Sequence, residues 1–300
     1  MTNLVLLLLC FFVGVFARRT RALPEDSHRA INAWVMLVSL PALVFRSIHG
    51  VKLDGPMLLS SASLWLVFLV PAAVALVLVR RGGSRERLGA LALCAGLGNT
   101  AFVGLPLIEA IAGKEGLGPA SVADQLGSFL ALFLFAMPFA AYLGRSKTTG
   151  AQSVGKLVKS PAMIALVLAV LLRDVAVPQS MSEVINRLAD MLSPLALASV
   201  GWQLDLSAIP GNGGRIAMGL WWKLVLAPAM VLGLLMLFRG HLGFADRVVV
   251  AQAAMAPMVT AGVVAADNRL APGLAAAMIA VGVPLSLVTV PLWWHAMTFL

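Results

Sequence analysis

The chain has 300 residues, of which 60% are hydrophobic and 12% charged, with a formal net charge of +9 and a mean hydropathy of +0.95. A soluble domain carries about 45–50% apolar and about 25% charged residues, so most of this surface belongs in a bilayer and not in water. The basic residues stand in short clusters between apolar runs, the pattern of helix flanks and not of a nucleic-acid groove, and Cys10 and Cys94 form neither a disulfide framework nor a metal site.

At about 20 residues per span the length accommodates roughly ten membrane helices. Helix 1 is expected at Asn3–Ala17; no basic residue precedes it and Arg18-Arg19 follows, the reverse of a signal peptide, so it reads as retained. Helix 2 follows at Ile31–Ile48, helix 3 at Met57–Val79, helix 4 at Leu88–Ala112 and helix 5 at Ser121–Leu143. The second half holds helix 6 at Leu157–Leu172, helix 7 at Val184–Leu204, helix 8 at Ile216–Phe238, helix 9 at Val248–Ala266 and helix 10 at Gly273–Leu300. Helices 1 and 6 are short for a full span, which a locally thinned bilayer would accommodate.

The loops after odd-numbered helices hold fourteen Lys and Arg residues and those after even-numbered helices hold seven, with Lys223 inside helix 8. That asymmetry places the odd loops in the cytoplasm and both termini outside an inner (plasma) membrane. The two halves also share a weak repeat. Pro24, Ile31, Asn32 and Ser39 recur 154 positions later as Pro178, Ile185, Asn186 and Ser193. Pro71 and Pro228 are 157 apart; Arg87, Thr100 and Ala101 recur 160 positions on as Arg247, Thr260 and Ala261. Two five-helix repeats must face opposite ways, because an odd number of crossings inverts the second copy, and this is the plan of many secondary transporters. The expected fold is therefore an all-α membrane protein with residues 1–150 and 151–300 as inverted repeats.

Helix 4 contains AGLGNTAFVGLPL, with Gly96, Gly98, Asn99, Gly104 and Pro106 close together, and helix 9 contains AQAAMAPMVTAGVV, with Gln252, Pro257, Thr260 and Gly262. Gly and Pro at this density weaken the helical ladder. Unwound backbone deep in a membrane persists only where protein or a wet cavity satisfies it, so paired breaks mark the substrate-binding candidates Gly98, Asn99, Thr100, Gln252, Pro257 and Thr260. Half-helix N-termini at such a break offer free N–H groups and a positive dipole end, which suits an anion. A packing or kink role is the alternative for each Gly and Pro taken singly.

SLPALVF in helix 2, GNTAFVGLPL in helix 4, LASVGWQL closing helix 7 and AMAPMVTAGVVA in helix 9 resemble the auxin efflux carrier family, which includes plant auxin carriers and bacterial permeases for malate and malonate. The resemblance spans nearly the whole chain. It implies ten helices, crossover of broken helices 4 and 9, and an elevator in which a body of helices 3–5 and 8–10 moves against a scaffold of helices 1, 2, 6 and 7. It implies an organic anion held near the crossover with the Asn99 amide as a contact. Plant carriers place a second polar residue after the helix 9 proline, where this chain has Met258 and Val259; Thr260 or Gln252 would substitute.

Four further polar residues have individual readings. Lys223 is expected to snorkel toward the interface or to balance an anionic substrate. Glu109 and Asp124, flanking the loop between helices 4 and 5, are expected to be solvated. Asp190, two turns into helix 7, is a possible proton-relay or charge partner. The expected partners are a small carboxylate, lipid, protons or sodium as coupling ions, and a second copy of the chain, with no cofactor and no nucleic acid. A sodium-coupled symporter of the bile-acid type on the same architecture is the alternative. A sodium/proton antiporter needs a buried acid beside the crossover, and the sequence places none within a turn of Asn99 or Pro257. A membrane-embedded enzyme lacks its motifs: there is no H-E-x-x-H and no Ser/His constellation.

Overall fold

The computed structural model describes residues 2–49, 51, 54–144, 155–204, 209 and 211–299. Lys52, Arg145, Lys147, Asp205 and Leu300 lie outside the described residues. Among the described residues every named element is helical.

The first helix, α1, runs Thr2–Thr20, longer than the expected Asn3–Ala17 because the ladder continues through Arg18 and Arg19. Its 19 residues span about 28 Å at 1.5 Å per residue, close to the hydrocarbon thickness. Among the described residues five helices are long and apolar enough to cross a membrane: α2 (Ser27–Ile48), α3 (Gly55–Arg80), α6 (Lys114–Gly144), α10 (Gly213–Arg239) and α13 (Pro272–Phe299). The expected helix 4 is two pieces, α4 (Arg85–Gly96) and α5 (Thr100–Ala112), and the expected helix 9 is also two, α11 (Phe244–Ala253) and α12 (Val259–Asp267). Short α7 (Pro161–Leu171) keeps the reduced length expected of helix 6. The single helix expected at Val184–Leu204 is instead α8 (Gln179–Asp190) and α9 (Leu192–Trp202). Pro194 lies in the first turn of α9, where a proline needs no amide partner, and the α8 ladder ends before it.

Polar residues start several helices by accepting otherwise unpaired amides. Asp54 Oδ1 accepts from Met57 N at 2.8 Å to cap α3, and Ser84 Oγ accepts from Arg87 N at 3.3 Å to cap α4. Ser160 Oγ accepts from Met163 N at 3.2 Å to cap α7.

Glycines decide how α1 meets α9. A Cβ added to Gly14 would lie 2.0 Å from the Ala198 carbonyl oxygen, and one added to Gly201 would lie 2.1 Å from that of Phe11. The two backbones touch there, as small residues permit between membrane helices. Arg18 Nη1 donates to Trp202 O at 3.0 Å, placing a cation at the negative end of α9. In the same way α7 lies along the C-terminal half of α2, and α3 packs on α4 and α6. Gly201→Val must therefore push α1 off α9. The expected outcome is a thermal midpoint lower by roughly 4–10 °C in detergent, from an overpacking cost of about 1–3 kcal/mol. Gly233→Ala is the control, because nothing stands within 4 Å of its added Cβ.

Candidate functional site

Each interrupted helix leaves backbone groups without a ladder partner, and the two interruptions satisfy one another. Asn99 N donates to Ala256 O at 2.7 Å and Met258 N donates to Leu97 O at 2.9 Å. Together they make one antiparallel bridge between Gly98 and Pro257. Both bonds come from residues flanking the bridged pair, so Gly98 and Pro257 face each other where no amide of their own is needed. Proline's missing N–H therefore costs nothing at 257. Packing against the bridge is close: a Cβ on Gly282 would stand 2.5 Å from Pro257 Cδ, and one on Gly98 would stand 3.1 Å from Lys223 Nζ.

Asn99 caps α5, its Oδ1 accepting from Phe102 N at 3.2 Å. Its Nδ2 has no partner although the residue is only 2% exposed. Asn99 is among the residues lining a cavity of about 600 Å³. Met36 and Leu40 of α2 face Asn99, Phe102, Phe129 and Thr260 across it, with His28, Arg29, Ser160 and Gln203 also in its lining. The α2 and α9 wall is held by a polar chain: Gln203 Nε2 donates to Ser199 Oγ at 3.1 Å, and Ser199 Oγ donates to Asn32 Oδ1 at 2.6 Å.

Two of the other expected residues support the crossover from behind. Gln252 is fully buried and clips α11 to its neighbours, its Nε2 donating to Thr100 O at 3.3 Å and Ala120 O at 3.2 Å. Thr100 turns away from the cavity and donates through Oγ1 to Asp124 Oδ1 at 2.5 Å. Thr260 lines the cavity directly, on the first turn of α12, which no side chain caps.

Three readings are corrected. Asp124 is not solvated: it is 2% exposed, its Oδ2 also accepts from Gln125 Nε2 at 2.7 Å, and it lines the cavity beside Asn99. The reason is that α6 begins at Lys114 and not near Ser121, which puts Asp124 about 15 Å inside the helix. An acid therefore does stand against the crossover. Lys223 does not snorkel; it is 1% exposed and its Nζ donates to Ala253 O at 2.6 Å. Asp190 is not brought to the crossover. Its side chain is 56% exposed and pairs with Arg46 Nη1 at 2.6 Å, bordering a separate cavity of about 250 Å³ with Glu109, which accepts from Ser193 Oγ at 3.3 Å. An exposed pair of this kind is worth about 0–1 kcal/mol. Asp190→Asn is thus expected to leave transport kinetics unchanged within about twofold, a check made in the same uptake assay as the crossover variants.

Asp124, Gln125, Asn32 and Gln203 were not expected at the site. The usable signal for the first two was an adjacent acid and amide inside an apolar run, a combination that is costly in a membrane helix and so marks function by default.

The family described as membrane transport protein matches residues 1–294. An uncharacterized transporter of Methanothermobacter thermautotrophicus is 26% identical over 296 residues, covering 97% of this chain and 94% of that protein. An uncharacterized transporter of Methanocaldococcus jannaschii is 25% identical over 221 residues, covering 70% of each.

Proposed function

The chain belongs to the membrane transport protein family, the auxin efflux carriers, and from that premise we propose that it moves a small carboxylate across the inner membrane by an elevator-type alternating-access cycle. The observation that carries this reading is Asn99, which lines the cavity at the meeting point of two broken helices and whose buried Nδ2 has no protein acceptor. A buried amide N–H₂ with no protein acceptor is a donor that a ligand can satisfy, and a carboxylate is the ligand that repays it best. The uncapped first turn of α12 adds backbone donors and a positive dipole end from the opposite half of the chain.

Packing supports the inverted ten-span plan. The α1 on α9 contact and the α7 on α2 contact are what exchange of two five-helix repeats about an in-plane axis would produce. These four helices with α8 would form the scaffold, and α3–α6 with α10–α13 the moving body. The cavity lies between those groups, where an elevator needs its substrate. His28, Arg29, Ser160 and Gln203 come from the ends of helices bordering the basic odd-numbered loops, so in this orientation the cavity opens to the cytoplasm.

Asp124 favours coupling to protons over coupling to sodium. Its oxygens already accept from Thr100 and Gln125, and no basic side chain pairs with it among the described residues. Such a carboxylate beside an anion site repels the substrate unless it takes up a proton. Sodium requires several free oxygens, and these are engaged by donors. The test is uptake of labelled mono- and dicarboxylates into proteoliposomes. At least one is expected to accumulate faster with an acidic outer medium, with competition from other carboxylates and none from amines. Transport restricted to cations or neutral solutes would refute the anion reading.

A further inference from the structure

Lys223 is the largest buried charge that the carboxylate reading leaves unused. It sits on the π-helical turn Trp222–Leu226 of α10, shortly before Pro228, and is 1% exposed. Its ammonium donates to the carbonyl of Ala253, the last residue of α11. That carbonyl lies at the negative end of a half-helix, where an unwound transporter helix would otherwise coordinate a free cation. Gly98 leaves room for the ammonium on the crossover side. The remaining void, between Leu64, Val67, Leu97, Ser128 and Lys223, is about 10 Å³, space for one water at most and none for a hydrated ion. No carboxylate pairs with Lys223 among the described residues. Asp124 meets the same Gly98–Thr100 segment through Thr100, whose hydroxyl donates to it.

We propose that the Lys223 ammonium is a tethered cation that fills the electronegative pocket at the broken end of α11, so that the crossover holds its shape without sodium. The inference rests on the crossover geometry and is independent of what the cavity carries. Lys223 then acts as a positioning residue: it ties α10 to the bridge that presents Asn99.

The test uses thermal unfolding of the purified full chain in detergent, in sodium, potassium and choline chloride of equal concentration, with no substrate present. Wild type is expected to give the same midpoint in all three salts. Lys223→Met, similar in volume and uncharged, should lose about 5 °C or more in every salt. Lys223→Ala, which opens space, should lose at least as much in choline and recover part of the loss in sodium or in propylammonium chloride. A structural role through packing alone would not show that cation-specific rescue. Wild type stabilised by sodium over choline would overturn the proposal, because a free cation site would then exist. So would Lys223→Met at the wild-type midpoint, or Lys223→Ala destabilised equally in every salt. If neither variant folds, the wild-type comparison alone decides.

Discussion

Asn99→Ala is expected to reduce carboxylate uptake by roughly 10- to 100-fold, the cost of about 1.5–3 kcal/mol for one hydrogen bond to a charged group. Two roles are lost together. The unpaired Nδ2 donor disappears, and so does the Oδ1 cap that accepts from Phe102 N at the start of α5. Asn99→Asp separates them, since it keeps the cap and replaces the donor with a second acceptor bearing negative charge. It should fold with a midpoint near wild type and transport no better than the alanine variant. Asn99→Ser can cap and can donate, and should recover part of the activity. Wild-type kinetics in Asn99→Asp would show that the amide donor has no ligand.

Asp124→Asn is expected to uncouple transport from the proton gradient while leaving anion exchange in place. The substitution keeps the shape and removes the site that takes the proton. One oxygen still accepts from Thr100 Oγ1, but the new amide N–H₂ faces Gln125 Nε2, so one buried bond is lost at about 1–3 kcal/mol. In proteoliposomes an acidic exterior should no longer raise the initial rate or the extent of accumulation. Counterflow against a preloaded carboxylate should persist. Charged groups on the surrounding elements bear on the result: His28 and Arg29 of α2 line the same cavity, and Lys223 of α10 lies behind the bridge. None is altered, so a lost pH response assigns the proton to Asp124. A full response to the pH gradient in Asp124→Asn would place the coupling elsewhere or remove it.

Both breaks were legible because Gly, Pro and an amide occur together where a membrane helix should be uniformly apolar. Their positions 160 residues apart made a pair of them, and the backbone bonds across Gly98 and Pro257 give that pairing a physical form. The inequality of the two ends was also legible, since Asn99 has no polar counterpart beside Pro257. The acid was hidden by local composition. Gly113, Gly116, Gly118 and Pro119 read as a loop, yet helix persists from Lys114 because Gly118 packs against the Ser47 carbonyl at the end of α2. Tertiary contact overrode the local signal there, and it moved Asp124 from the surface into the core. Lys223 was misread for a different reason. Its short distance from the helix end put the interface within reach of the side chain, but the fold turns it inward to the Ala253 carbonyl. Gln252 was expected as a ligand; its buried bonds to the Thr100 and Ala120 carbonyls make it a brace for the crossover.

Ligand-dependent unfolding compared between wild type and Asn99→Asp tests the central claim most directly, because it needs neither a driving gradient nor a chosen direction of transport. Purified chains would be heated with a panel of small mono- and dicarboxylates and with matched amines and amides. The prediction is that at least one carboxylate raises the wild-type midpoint, that the amines and amides do not, and that the shift is absent from Asn99→Asp. A carboxylate shift of equal size in both proteins would contradict a site at the crossover, and stabilisation by amines alone would contradict an anionic substrate.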